Sequence, residues 1–138
     1  MADILHVGAV DMGTLGLVTR KVTGHRDAPR KTWPRQQVPG RVDSVVMSSQ
    51  PVWQPRTVDV FGTIVGTSHA DMMANRTSLE TAIHTPNEVD VSFVDDLTMK
   101  LVARCERFEV TDVTPGFQSW IATVRITFVA QNPVYVAV

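Results

Sequence analysis

One segment, residues 68–83, carries the only convincing helical pattern in the sequence, and strand patterns precede and follow it. Ser68 suits the N-cap position, and Asp71 lies where the exposed backbone N–H groups of the first turn favour a carboxylate. The helix is expected to end before Pro86. Apolar residues recur at helical spacing on one face of this segment: Met72, Leu79 and Ile83. Because a lone helix must cover its apolar face, the sequence predicts that it packs on a sheet.

Strand patterns account for much of the remaining chain. The clearest alternation of apolar and polar residues runs from Trp120 to Ala130, and it predicts a sheet with one buried face. A change of phase near Glu106 predicts a β-bulge in the strand before it. Alternation predicts strands over residues 4–10, 15–23, 57–65, 89–93, 97–110 and 118–130.

These patterns define the expected fold class. Turns are predicted at residues 11–13, 95–96 and 114–116. In the strand predicted over residues 15–23, the side chain of Leu17 is expected on one face of the sheet, and those of Val18 and Val22 on the other. The fold is expected to be α+β and mainly antiparallel β, a sandwich or split barrel with one packed helix and a long proline-rich arm. The length of 138 residues predicts a single domain over residues 1–138.

The arm is the irregular segment at about residues 24–56, which contains five of the eight prolines. Proline removes backbone donors, so long ladders are not expected, and only residues 42–47 suit a short strand. The segment carries six basic and two acidic side chains, whereas residues 57–138 carry five basic and ten acidic ones. Either these charges are simply solvated, or the arm meets an acidic surface such as another copy of the chain.

Two tryptophans in the arm, Trp33 and Trp53, allow the same two interpretations. Either both fold back onto their own sheet, or they anchor the arm in a neighbouring molecule, where tryptophan is favoured.

Bulk properties exclude several classes of protein. No run approaches the roughly 18 apolar residues of a membrane span, and the N-terminus lacks the pattern of an export signal. The net charge of −1 gives no general bias towards nucleic acid or membrane. Cys105 is the only cysteine, so no internal disulfide is possible, which fits assembly inside a cell. We therefore expect neither membrane association nor sequence-specific nucleic-acid binding.

No set of residues predicts catalysis. Cys105 lies on the apolar face of a strand, where it is expected to be inert. Asp95 and Asp96, with Asp90, could hold calcium or magnesium, although a solvated turn is the preferred interpretation. No two of the four histidines have zinc-like spacing: His6, His25, His69 and His84. We expect no catalytic residue, no metal site, no cofactor and no enzymatic activity.

The order of features resembles the N-terminal domain of the distal tail protein of long-tailed bacteriophages. Pro39-Gly-Arg41 matches that family's "PG-R" loop, and residues 56–62 match its "R-x-V-x-V-x-G" strand. The helix and a long final strand follow in the family's order, closing on Asn132-Pro-Val-Tyr135. One extra residue separates Pro133 from Tyr135 compared with the common pattern. Many members carry a further carbohydrate-binding-like domain, whose role is not transferred here.

The resemblance implies a structural virion protein. It implies a hexameric ring at the tail tip, assembled in the host cytoplasm, that joins the tail tube to the hub or baseplate around the DNA exit channel. The implied partners are other copies of the chain, the tail tube protein and hub or tail-fibre proteins. Residues expected at the subunit interface are Trp33, Arg35, Arg41, Trp53 and Arg56.

Two alternatives remain at this stage. The first is another ring-forming tail component, such as a tail tube or tail terminator subunit. The second, less favoured, is a soluble ligand-binding domain that acts alone.

Overall fold

The computed structural model describes residues 3–33, 35–37, 39–40, 44–46 and 51–138. A 3-10 helix spans Met12–Leu15, and α1, the one α-helix in this part of the chain, spans His69–Ile83. The strands are β1 (Leu5–Val7), β2 (Val10–Asp11), β3 (Leu17–Thr23), β4 (Lys31–Thr32), β5 (Arg35–Gln37), β6 (Ser44–Val46), β7 (Val52–Trp53), β8 (Arg56–Gly66), β9 (Val89–Phe93), β10 (Asp96–Gly116), β11 (Ser119–Ala130) and β12 (Val136–Ala137).

The main sheet follows the order β2-β1-β9-β10-β11-β8-β3, and β12 also pairs with β10. All of these pairings are antiparallel. The strand β10 belongs to two layers, because residues 96–103 pair with β9 and residues 104–116 pair with β11. Apolar side chains from both layers and from α1 form one core. The predicted α+β, mainly antiparallel fold is confirmed, and the sheet is not a closed barrel.

The β-bulge predicted near Glu106 is confirmed. The register of β10 against β11 shifts between Cys105 and Arg107, where the strand passes from one layer to the other. A bulge bends its strand and increases the local twist, so the extra residue allows a single strand to serve both layers.

The helix forms and packs as its sequence predicts. Ser68 Oγ accepts a hydrogen bond from the backbone N–H of Asp71 at 3.1 Å, and the Asp71 carboxylate accepts one from Thr67 N at 2.9 Å. Gly66 lets the chain turn closely into the helix, because a Cβ there would overlap the backbone of Met72. The predicted helix face and the predicted face of β11 are buried in one core: Met72, Leu79 and Ile83 with Val124, Ile126 and Phe128. Trp120, half-buried, packs edge-on against the His69 ring, with centroids 4.8 Å apart.

Three predictions near the N-terminus need correction. The first strand is split by a tight turn at Gly8 and Ala9, whose φ angles are +60° and +66°. The turn predicted at residues 11–13 lies largely in the 3-10 helix. A register shift between Thr19 and Lys21 places Val22 on the same side as Leu17 rather than opposite it.

A contact distant in sequence lies beside that register shift. The Asp3 carboxylate accepts hydrogen bonds from Thr19 N at 2.9 Å and from Thr19 Oγ1 at 2.8 Å. Asp3 thereby binds a backbone donor on the outer edge of β3. The same bonds connect the segment before β1 to the opposite edge of the sheet.

Both later turns differ in position from their predictions. Phe93 pairs directly with Asp96, so the first turn is Val94–Asp95 rather than residues 95–96. Gly116 pairs with Ser119, so β10 continues through residues 114–116 and the turn lies at residues 117–118. Alternation in the strand predicted over residues 97–110 places Leu97 on the same face as Leu101 and Ala103, but Leu97 is 47% exposed, and the pairing with β9 is irregular between Asp96 and Leu101.

The core assignment yields a matched pair of substitutions. Phe128→Ala should lower the free energy of unfolding by about 3–5 kcal/mol, because the ring is fully buried beneath the helix. Phe117→Ala is the control, since Phe117 is 91% exposed at the β10–β11 turn and should change stability by less than about 0.5 kcal/mol. Denaturant unfolding of both variants measures the difference, and equal effects would contradict the assigned core.

Candidate assembly interface

The arm, predicted to be irregular, contains short paired strands. Among the described residues, β4 pairs with β7 and β5 pairs with β6, which gives two short antiparallel ladders. We call the segment that carries them, residues 31–53, the ribbon. Neither ladder exceeds three residues per strand, as expected for a segment rich in proline. The strand predicted at residues 42–47 appears as β6 in its described part. Arg41 lies outside the residues that the structure describes.

Two tryptophans and a lysine form an exposed face on this ribbon. Lys31 pairs across the ladder with Trp53, and Trp33 follows two residues after Lys31, on the same side. The Lys31 ammonium lies 5.8 Å from the ring centroid of each tryptophan. Trp33 is 36% exposed and Trp53 is 51% exposed, and neither belongs to the core. We call Lys31, Trp33 and Trp53 the aromatic–basic face; Arg35, also exposed, comes next along the ribbon.

Arg56 occupies a different kind of position from the other predicted interface residues. Its side chain is buried in its own chain, with the residue only 7% exposed. Its Nε donates to Pro133 O at 2.9 Å, and its Nη1 donates to Gly24 O at 2.9 Å and to Asp27 O at 2.7 Å. The guanidinium also lies 5.2 Å from the centroid of the Tyr135 ring. Arg56 therefore holds the base of the arm against the C-terminal segment.

A second group of contacts fixes the same arm base. The Tyr135 hydroxyl donates to His25 O at 2.8 Å, and the His25 ring packs 4.7 Å from the Phe93 ring. Arg26 Nε lies 2.8 Å from the Asp95 carboxylate. Burial raises the pKa of Tyr135, which keeps its hydroxyl protonated as a donor, and burial lowers the pKa of His25.

Sequence reasoning missed Tyr135, His25 and Pro133 as residues that anchor the arm. The sequence signal for Pro133 and Tyr135 is the Asn132-Pro-Val-Tyr135 segment. Its resemblance to a family pattern does not indicate a contact with the arm. Whether any of Trp33, Arg35, Arg41, Trp53 and Arg56 contacts a neighbouring subunit stays a prediction. The position of Arg56 favours an indirect role, because a buried side chain that fixes the arm base cannot itself present a surface.

The main sheet has a long open edge. Residues 104–116 of β10 pair with β11 on one side, and none of the described strands pairs with their other side. The opposite edge of this layer is β3. An unpaired edge exposes backbone donors and acceptors to other chains, and natural proteins cover or disguise such edges. The β10 edge is therefore suited to contact with another molecule.

The histidines, the cysteine and the carboxylates considered as catalytic or metal-binding residues do not come together as a metal site in the described residues. In the part of the chain that the structure describes, no group of three or more His, Cys, Asp or Glu is placed to hold a metal ion. Burial raises the pKa of the Cys105 thiol to about 11, and the thiol donates a hydrogen bond to Arg107 O at 3.4 Å. No helix among the described residues is both long and apolar enough to cross a membrane. The expected lack of activity, metal and cofactor stays a prediction.

Substitution of Arg56 tests the anchor. Arg56→Met should lower the free energy of unfolding by about 2–4 kcal/mol, because three charge-assisted hydrogen bonds are lost. Hydrogen exchange at residues 24–27 should accelerate more than exchange in the helix. Arg35→Met, at an exposed position, is the matched control and should change stability by less than about 0.5 kcal/mol. Unchanged exchange at residues 24–27 in Arg56→Met would show that the arm base is held by other contacts.

The reactivity of Cys105 gives a separate prediction. A thiol with a pKa near 11 is almost entirely protonated at neutral pH, so the reactive thiolate is scarce. At about pH 8 the folded protein should react with a disulfide reagent roughly 100-fold more slowly than a free thiol does. Reaction in denaturant is the control and should be fast. Rapid labelling of the folded protein would contradict the inert assignment.

Comparison with known proteins finds a similar fold but no similar sequence family. No protein-family model and no curated protein matches the chain. Among solved structures, the crystal structure of the Dit (gp 19.1) protein of SPP1 matches with a TM-score of 0.78 and 17% sequence identity. That protein is described as a paradigm of the hub adsorption apparatus in phages that infect Gram-positive bacteria. The match covers 98% of this chain and 52% of that one, so this chain spans about half its length. The resemblance predicted from the sequence is confirmed at the level of the fold.

Proposed function

We propose that this chain is a structural subunit of a phage tail tip, and that copies of it form a ring around the DNA exit channel. The observation that carries the proposal concerns the ribbon, residues 31–53. It exposes two tryptophans and two basic side chains that do not belong to the core. A surface of this kind suits contact with another protein rather than stability of its own domain, since aromatic and arginine side chains are favoured at interfaces. The fold shared with the SPP1 Dit protein supports the same conclusion.

The charge distribution favours self-association. The arm is basic, whereas residues 57–138 carry twice as many acidic as basic side chains, ten against five. Each copy thus offers both members of a complementary pair of surfaces, which favours a head-to-tail contact between copies. Head-to-tail contacts generate a ring when the rotation between subunits closes. The family resemblance implies that this ring is a hexamer.

The open edges of the sheet provide a second contact. In one layer, β3 and residues 104–116 of β10 form the two opposite edges. Asp3 occupies the β3 edge at Thr19, and the contact uses the rest of that edge. Because β3 pairs antiparallel with β8, β8 with β11, and β11 with β10, β3 runs antiparallel to β10. The edges of adjacent copies can therefore meet as an antiparallel pair that continues the sheet around a ring.

In this role the ring joins the tail tube to the hub or baseplate of the virion. Its partners are the tail tube protein and hub or tail-fibre proteins, and it is assembled in the host cytoplasm. A tail tube or tail terminator subunit would present the same kind of edges. The place of the ring in the particle, seen by electron cryo-microscopy, distinguishes these roles.

Excision of the ribbon tests the proposal. Gln54 N donates to Arg30 O at 2.9 Å, so a two-glycine turn can replace residues 31–53 without stretching the chain. The excised protein should keep its circular dichroism spectrum and a melting temperature within a few degrees of the parent, but should form smaller oligomers. Light scattering coupled to size exclusion gives the mass of each species. High salt should weaken assembly of the parent only in part, because exposed charges are screened while apolar contacts are not.

Two outcomes would count against the proposal. An excised protein that assembles like the parent would remove the arm from the interface. A parent chain that stays monomeric at all accessible concentrations would favour a domain that acts alone.

A further inference from the structure

A cavity of about 340 Å³ lies beside β2, the 3-10 helix and the end of α1. Its apolar lining includes Val10, Leu15, Ala82 and Pro86. Val10 is 50% exposed, which leaves apolar surface open to solvent. Two carboxylates, those of Glu88 and Asp90, complete the lining, and their side chains are 55% and 46% exposed. An apolar floor with exposed carboxylates is the chemical complement of an aromatic and basic surface.

We propose that this cavity receives the aromatic–basic face of the arm from an adjacent copy of the chain. The inference rests on the proposed function, since it requires that copies assemble, and it adds the surface on which the arm docks. A tryptophan of the arm fills the apolar part of the cavity. Lys31, with Arg35 beside it, faces the carboxylates.

The carboxylates are available for such a contact. Glu88 lies 3.5 Å from the Arg104 guanidinium, and Asp90 lies 3.2 Å from the Lys100 ammonium. The Glu88–Arg104 pair is largely exposed, and exposed ion pairs of this kind contribute little to stability. The Asp90–Lys100 pair is about half-buried, with 46% and 29% of the two side chains exposed. Either carboxylate can therefore accept a further donor without the loss of a strong interaction. Burial of a lysine–tryptophan face over them would exclude water and strengthen the new contact.

The register of the sheet places the arm base and Arg104 at the same level on opposite edges. Arg104 pairs with Val129, and Val129 pairs with Thr57. Thr57 O lies next to Gly24, where the chain leaves β3 and the arm begins. When the β3 edge of one copy meets the β10 edge of the next, the arm base of the first is brought near Arg104 of the second. Arg104 contacts Glu88, which lines the cavity.

The contact is heterologous, because the arm and the cavity are different surfaces of one chain. The arm of the same chain does not fill its own cavity, since both tryptophans are exposed. Each copy therefore has one free donor and one free acceptor. A chain of such contacts closes into a ring or grows into a filament, depending on the rotation between copies.

Paired variants test the assignment. The donor variant carries Trp33→Ser and Trp53→Ser, and the acceptor variant carries Glu88→Lys; all three positions are exposed, so both proteins should fold. Glu80→Lys makes the same charge reversal at an exposed helix position that does not line the cavity, and it serves as the control. Sedimentation velocity over a range of concentrations measures association, and thermal melting verifies folding.

The expected result is asymmetric. Donor and acceptor variants should each associate at least about tenfold more weakly than the parent, while the control associates normally. A mixture of the two variants should form heterodimers that do not grow, because only one intact donor meets one intact acceptor. A chain with both Lys31→Glu and Glu88→Lys should regain association, since the charges face each other in reversed order. A misfolded chain could not be restored in this way.

Three results would overturn the inference. If the donor variant loses association but the acceptor variant assembles like the parent, the arm docks elsewhere and the proposed ring function is unaffected. If neither variant changes assembly although excision of residues 31–53 abolishes it, this face and this cavity are not the contact. If the parent itself does not associate, the docking site and the ring both fail.

Discussion

The fold depends on one strand that pairs with different neighbours along its length. β10 begins against β9 and ends against β11, and the bulge at Glu106 lies near the change of partner. Without this shared strand, the two layers would not belong to one sheet. The pairing of β10 with β9 stops at Ala103, and none of the described strands pairs with that side of β10 beyond this residue. The open edge is thus a direct result of how the core is built.

Arg56 fixes the position of the arm base, as β10 fixes the position of the two sheet layers. Burial of a guanidinium is unfavourable unless its donors are satisfied, and here backbone carbonyls from two distant segments satisfy them. Such an arrangement specifies geometry more than it adds stability. It fixes where the arm leaves the domain, while Lys31, Trp33 and Trp53 farther along the arm are exposed. Rigidity at the base reduces the entropy that the arm would lose on docking.

The parts of the fold that follow from local patterns were predictable from sequence. Met72, Leu79 and Ile83 mark the helix face, and a break in alternation at Glu106 marks a bulge, because both signals are contained in neighbouring residues. The bulge near Arg20 gave no such signal, since Val18 and Val22 are both apolar and the contact beside it, from Asp3 to Thr19, is distant in sequence. The turn at Val94 was misplaced by one residue for a similar reason: strand pairing, not turn propensity, sets it. Nothing local distinguishes the buried Arg56 from the exposed Arg35, so the candidate site was predicted as a segment but not as an anchor with a projecting face.

These features together bear on why such a domain would form closed rings. In an open chain of such head-to-tail copies, the two ends would leave uncovered one β3 edge, one β10 edge, one aromatic–basic face and one cavity. Closure would cover all four in a single step, and because the ends are already tethered, it needs no further loss of translational freedom. The last contact is therefore more favourable than each earlier one, provided that the rotation between copies permits it. In the proposed ring, an arm whose base is fixed by Arg56 and Tyr135 would restrict the angles at which it meets a neighbour. A fixed base and an exposed docking face would then favour one curvature over others.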